Sequence, residues 1–373
     1  GLQEVVCRWL LDDGAHRGLV AAMARYGAAA NAHVASACLR SLQYMAEARE
    51  FVDRMEGDMK LGSVTCAVMR SCDFDSEACV RGTLLLAQQL RHPDSASRAA
   101  AMEAGAAAVM LSVLDTHRHV YEVVSTVLHT LLHLGAGDAP FVAAAREVRA
   151  ASMVLGIATA AREVAATPEA LTRRPLEVDN AAIATPLSEL AAADAMLLVR
   201  QAVSVLTAWV SASVEIAEEV APALATSVAA LLLPESSAAY HDSVLVEAVL
   251  VLTAATARAS ARAAAGVAAG GGVLRVLMPL PTHVAHMDRS SLAHSAMTLL
   301  GALVATSPDA AAAALAANGL GVAQGCAIHW ALKARAPEPV RRSIYEAAGV
   351  AVRTLLAATA PARAAAAVAA VRA

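Results

Sequence analysis

Residues 103–134 read EAGAAAVMLSVLDTHRHVYEVVSTVLHTLLHL. Glu103, Ala104 and Gly105 are followed by Val109, Met110, Val113 and Leu114. Asp115 to His119 are polar, and then come Val120, Val123, Val124, Val127, Leu128, Leu131, Leu132 and Leu134. Spacings of three and four put these apolar residues on one broad helical face. The stretch therefore predicts a glycine break, a short apolar helix, a polar turn and a longer helix buried along one side.

Outward from this stretch the same order recurs. At Gly14 it runs through Leu19, Val20 and Met23, then Val34, Cys38, Leu39, Leu42 and Met45, and closes on Phe51, Val52 and Met55. At Gly57 it runs through Leu61, Val64 and Val68, then Val80, Leu84, Leu85, Leu86 and Leu90. Towards the other end, Gly270 to Gly272 lead into Val273, Leu274, Val276 and Leu277, and Leu292, Ala296, Leu299, Leu300 and Leu303 follow. Asn318 and Gly319 open a last set whose long helix carries Val340, Ile344, Ala347, Ala348, Val352 and Leu355. The glycines are 43 residues apart from Gly14 to Gly57, 48 from Gly57 to Gly105 and 47 from Gly272 to Gly319. Such periods belong to helical arrays with two or three helices per repeat.

With Glu-Ala-Gly and Gly-Gly-Val before the second helix, and A-x-x-x-L-x-x-L in the third, most of Gly14 to Leu356 resembles the armadillo repeat family. HEAT repeats are the near alternative, but they lack the regular glycine between the first two helices. The resemblance implies an all-α, right-handed superhelical solenoid of about seven repeats, forming one domain over residues 1–373. The middle departs from the pattern. A set begins near Glu147, with Val148, Met153, Val154 and Ile157, but its long helix arrives only with Met196, Val199, Val203, Leu206 and Trp209. Between them, Ala165 to Thr185 reads as an irregular insertion, with Thr185 as N-cap and Pro186 as first residue of the resumed helix.

Composition sets limits on function. Apolar residues make up 58% of the chain and aromatics 3%, so the apolar content is mostly alanine and small aliphatics, with Trp9, Trp209 and Trp330 as large anchors. Alanine favours helices intrinsically, but its excess also fits a GC-rich coding bias, as does the use of arginine for all but Lys60 and Lys333. A net charge of −4 without a run of five like charges argues against nucleic acid or a polybasic membrane patch. The longest apolar segments are broken by Arg200, Pro234 and Glu247, so no membrane span is expected. Cys7, Cys38, Cys66, Cys72, Cys79 and Cys326 form no C-x-x-C pair and read as buried thiols in a reducing compartment. A start at Gly1 without a visible signal peptide fits a fragment or processed chain in the cytoplasm.

Chemistry-bearing patterns are sparse. His129 and His133 have the spacing at which two imidazoles share a metal, but no glutamate lies between them, so there is no H-E-x-x-H zinc site. His117, His119, His283 and His286 fall in expected turns, where solvated histidine is the default. Gly270 to Gly272 lack the Lys-Ser/Thr of a phosphate loop. Neither catalysis nor a cofactor nor a bound metal is expected.

The resemblance implies a concave groove lined by third helices, where the family's familiar grip on an extended peptide uses an asparagine near each helix end. Here those positions hold Tyr44, Gln89, His133, Ala208, Ala302 and Thr354, and the chain's asparagines are Asn31, Asn180 and Asn318. The asparagine ladder is thus missing. One or two turns earlier stand Arg40, Arg81, Glu122, His129, Arg200, Gln201, Glu247, His294, Thr298 and Glu346, beside which Arg353 lies. The expected partner-binding residues are Arg40, Tyr44, Arg81, Gln89, His129, His133, Arg200, Glu247, His294 and Thr298, with Tyr44 as the aromatic anchor. The expected function is a non-catalytic scaffold or adaptor holding a peptide or helix of another protein, in a cytoskeletal or ciliary assembly. The alternative is an autoinhibitory or ligand-sensing domain of a larger enzyme. The sequence leaves partner identity and oligomeric state open.

Overall fold

The computed structural model describes residues 2–46, 49–91, 95–173, 185–231, 242–269, 277, 289–333 and 335–372. These hold twenty α-helices, a single 3-10 turn and no strand. In chain order the helices are α1 (Leu2–Asp12), α2 (Ala15–Ala28), α3 (Ala32–Met45), α4 (Arg49–Met59), α5 (Leu61–Ser71), α6 (Ser76–Leu90) and α7 (Ala96–Glu103). There follow α8 (Ala106–Thr116), α9 (Tyr121–His133), α10 (Ala139–Glu147), α11 (Ala150–Ala165), α12 (Pro168–Thr172) and α13 (Ala192–Ala212). The rest are α14 (Val214–Leu231), α15 (Ser243–Ala259), α16 (Ala261–Ala268), α17 (Ser290–Thr306), α18 (Pro308–Ala316), α19 (Gly319–Leu332) and α20 (Glu338–Arg372).

A short helix is joined to the next by one residue in the left-handed conformation, and this junction repeats. It is Gly14 (φ 76°), Lys60 (φ 53°), Gly105 (φ 84°), Arg149 (φ 52°) and Asn318 (φ 60°). Each ends one helix with a backbone bond, such as Gly105 N–H to the Met102 carbonyl at 3.0 Å or Asn318 N–H to Leu315 at 3.1 Å. Each also opens the next helix without a side-chain cap. A left-handed residue closing a helix end is a common stop, and here it doubles as a sharp corner. The first four junctions are spaced at 46, 45 and 44 residues, from Gly14 to Lys60 to Gly105 to Arg149. Gly57, expected at the second corner, lies inside α4, and the chain bends three residues later on a lysine. The expected glycine corner at Gly270 to Gly272 lies outside the described residues.

Most other helix starts use side-chain oxygens. Asn31, Asp75 and Asp242 cap α3, α6 and α15 by accepting the Val34, Ala78 and Leu245 N–H groups. Ser95, Ser260 and Ser307 cap α7, α16 and α18 in the same way. Such caps satisfy backbone donors that have no partner inside the helix.

The chain folds as two compact units, Gly1–Met153 with Ala160–Val205, and Val154–Thr159 with Leu206–Ala373. In the first unit, α2 packs on α5 and α5 on α8, while α3 packs on α6 and α6 on α9. Second helices thus form one row and third helices another, with α4 and α7 bridging them from the side. In the second unit, α15 packs on α17 and α17 on α20, with α14 against α15 and α16, and α19 against α20.

Burial drives these rows. Helix α9 contains three valines and two threonines, β-branched residues with weak helix propensity. Yet Val123, Val124, Val127, Leu128 and Leu131 are all fully buried, and each such side chain contributes roughly 1.5–3 kcal/mol, far more than the propensity deficit. Trp209 and Trp330 are buried as anchors, whereas Trp9 is 67% exposed on α1. All six cysteines are buried and free, as their spacing suggested. Helix α13 is long and apolar enough to cross a membrane by length and composition, despite Arg200. Half of its apolar window is packed inside the protein, including Leu198, Val199, Val203, Leu206 and Trp209.

The expected insertion is tied down at both described ends. Thr167 caps the short α12 by accepting the Ala170 N–H, and an Arg173 Nη donates to the Ser188 carbonyl at 2.7 Å. Thr185 and Pro186 do not start the resumed helix. Pro186 forms an isolated antiparallel bridge with Val120, Leu187 to Glu189 make the 3-10 turn, and α13 begins at Ala192. The reason is local: the Thr185 N–H and hydroxyl both donate to the Glu122 carboxylate, at 3.0 and 2.5 Å, so they are spent across the chain. The middle of the insertion lies outside the described residues.

Candidate partner-binding face

In the first unit the row α3, α6, α9 carries six of the expected binding residues. Arg40 and Tyr44 are exposed on α3, Tyr44 to 48%. Arg81 is half-buried on α6, its Nε 3.9 Å from the Glu77 carboxylate one turn earlier. Gln89 does not reach the surface: it is fully buried, and its amide oxygen would lie 3.0 Å from a Cβ placed on Gly62. The turn register that assigned Gln89 to the face missed its neighbour α5, which closes over it because residue 62 has no side chain. His129 and His133 are exposed on α9 with ring centroids 4.2 Å apart. Burial first, and then His133, hold the His129 imidazole below its ordinary range.

On α13, Arg200 is exposed, and Gln201 meets the Ser125 hydroxyl at 3.3 Å. Glu122, read as a groove residue, is occupied by Thr185 instead. In the second unit, the Arg289 guanidinium lies 3.5 Å from the half-buried Glu247 on α15 and also bonds Ser243. His294 on α17 faces the Ser343 hydroxyl of α20 through Nδ1 at 3.1 Å. Thr298 is half-buried on α17, and Glu346 pairs with Arg342 at 2.8 Å on α20. The structure thus joins His129 to His133, Glu247 to Arg289 and His294 to Ser343. Tyr44 and Arg40 share a helix face, and among the described residues they are not drawn into such pairs.

Other polar features escaped sequence reasoning because their partners are distant in the chain. Arg98 on α7 donates to the Leu90 carbonyl at 2.6 Å and to Asp138 at 2.8 Å, clamping the end of α6 to the start of α10. Arg54 on α4 pairs with Asp12 at 2.7 Å, and Ser97 donates to Asp53 at 2.7 Å. His117, expected to be solvated, is buried, with Nε2 2.5 Å from the Asp73 carbonyl. A cavity of about 320 Å³ in the second unit is lined by Val210 to Val214, Ala255, Arg258 and Ala259. Among the described residues no three His, Cys, Asp or Glu side chains cluster as a metal site.

No family model matches this chain, and no curated protein matches it. Solved structures do. One crystal structure of an engineered protein superposes with a TM-score of 0.52 at 16% identity, covering 80% of this chain and 97% of its own. A second engineered protein gives a TM-score of 0.50 at 15% identity, covering 79% of this chain and 98% of its own. At such identities the likeness concerns the fold alone. Fold and face together define an all-α protein of recurring helix sets.

Proposed function

We propose that this chain is an armadillo-type solenoid acting as a non-catalytic interaction scaffold or adaptor in the cytoplasm. It holds a peptide or helix of a partner protein along the third-helix face. The observation that carries this reading is the left-handed corner recurring every 44 to 46 residues, from Gly14 to Arg149, which aligns α3, α6 and α9 side by side. Repeat arrays of this kind bury one face against their neighbours and offer the other along its length. The same row carries Arg40, the half-buried Arg81 and two exposed imidazoles, and Tyr44 is a half-exposed aromatic of the type enriched at binding hot spots. A cytoskeletal or ciliary assembly fits a scaffold without chemistry of its own.

Affinity capture from cells, quantified by mass spectrometry, tests the face. Wild type should enrich a partner that the Tyr44→Ala/Arg40→Ala variant recovers in at least about tenfold lower yield, as expected when a hot-spot pair is lost. Equal recovery of the same partners by both would exclude this face.

A further inference from the structure

The two imidazoles of α9 are the one pair of histidines that stand adjacent and facing solvent among the described residues. His129 and His133 lie one turn apart, with ring centroids separated by 4.2 Å and ring planes inclined at 66°. Their backbone is held firmly, since Val127, Leu128 and Leu131 are fully buried and Thr130 is 2% exposed. Three other histidines are engaged elsewhere: His117 with the Asp73 carbonyl, His119 with Arg118, His294 with Ser343. The six thiols, which would compete for a soft metal, are all buried. Burial pushes Cys66 and Cys326 up to about 11 and Cys79 to about 12, so these three stay protonated.

We propose that His129 and His133 form a two-imidazole chelate for a divalent ion of the zinc and copper class. Residues four apart on a helix share one face, which lets two ring nitrogens reach one ion. Neutral imidazole selects Cu²⁺ and Zn²⁺, in that order of affinity, over Mg²⁺ and Ca²⁺, which prefer oxygen. Among the described residues no third candidate ligand clusters with the pair, whereas structural zinc centres carry four protein ligands. Water, or a donor from another molecule, completes the coordination shell. Chelation requires both rings to be deprotonated.

Calorimetric titration of the full chain with Zn²⁺, Cu²⁺ and Mg²⁺ tests this without any partner. The wild type should bind one Cu²⁺ more tightly than one Zn²⁺, and Mg²⁺ not at all. His129→Ala and His133→Ala should each weaken binding at least about tenfold, as expected when a ligand is lost, while His33→Ala should leave it unchanged. In NMR spectra of the unaltered protein, substoichiometric Zn²⁺ should shift or broaden the signals of these two imidazoles first among the twelve histidines. Equal affinity in the wild type and both α9 variants, or earlier perturbation of other histidines, overturns the assignment. The result bears on the metal site alone, because loss of partner capture by the Tyr44→Ala/Arg40→Ala variant does not depend on it.

Discussion

At the residue scale, the junctions show how one backbone requirement is met by different side chains. Glycine occupies the left-handed region without penalty, whereas a side chain there meets the following carbonyl and costs roughly 1–2 kcal/mol. Gly14 and Gly105 meet the requirement freely, while Lys60 and Arg149 meet it under strain and Asn318 with less. Arg149 is exposed and caps α11 with no side-chain bond, so its replacement by glycine removes strain and little else. Arg149→Gly should stabilise the protein by about 0.5–1 kcal/mol and Gly105→Ala destabilise it by about 1 kcal/mol. Urea denaturation followed by circular dichroism reads both. A lower midpoint for Arg149→Gly would show that the junction is not strained.

At the element scale, helices approach closely where a side chain is absent. Gly62 in α5 faces α7, and a Cβ built there would lie 2.9 Å from the Ala101 α-carbon and 3.1 Å from its nitrogen. Those are backbone atoms, so no rotamer change relieves the clash and α7 would have to move away from α5. The neighbouring Gly82 differs: the atoms nearest a Cβ built there belong to the Met69 side chain, a flexible thioether and not backbone. Gly62→Ala should therefore cost about 1–3 kcal/mol, in the range of overpacked cores. Gly82→Ala should cost clearly less, since alanine also favours the helix. Thermal melting of the two variants side by side decides this, and equal losses would mean that the close approach of α5 and α7 is not what glycine serves.

At the scale of the whole molecule, helices within each unit rely on their neighbours to cover their apolar faces. Helix α20 contributes the buried Ile344, Ala348, Ala351 and Leu355 against α17, whose Leu299, Leu300 and Leu303 are fully buried. A chain ending at Ala317 loses this cover, and the nearest-neighbour character of repeat arrays predicts that the damage falls mainly on the second unit. Its melting temperature should fall by several degrees, on the order of the shift that a few kcal/mol produces. Hydrogen exchange in α2, α5 and α8 should change little. An unaltered melting temperature would count against stacking as the source of stability.

Much of this was written locally. The apolar spacings of 109–134 placed α8 and α9, because helix periodicity needs only neighbours in the chain, and the buried thiols followed from the absence of paired cysteine spacing. Serine, aspartate and asparagine caps at helix starts were also present in the sequence as a local signal. Tertiary structure decided the rest. It moved the second corner from Gly57 to Lys60, because a left-handed φ is set by where the preceding helix stops. It buried Gln89 beneath α5 and exposed Trp9 on α1, and it bound Glu122 to Thr185. It set Thr185 and Pro186 in a bridge with α9's leading turn, where helix-start chemistry had been expected. Periodicity fixes which way a side chain points from its own helix, but exposure and pairing depend on which other element arrives there, and that information lies tens of residues away in the chain.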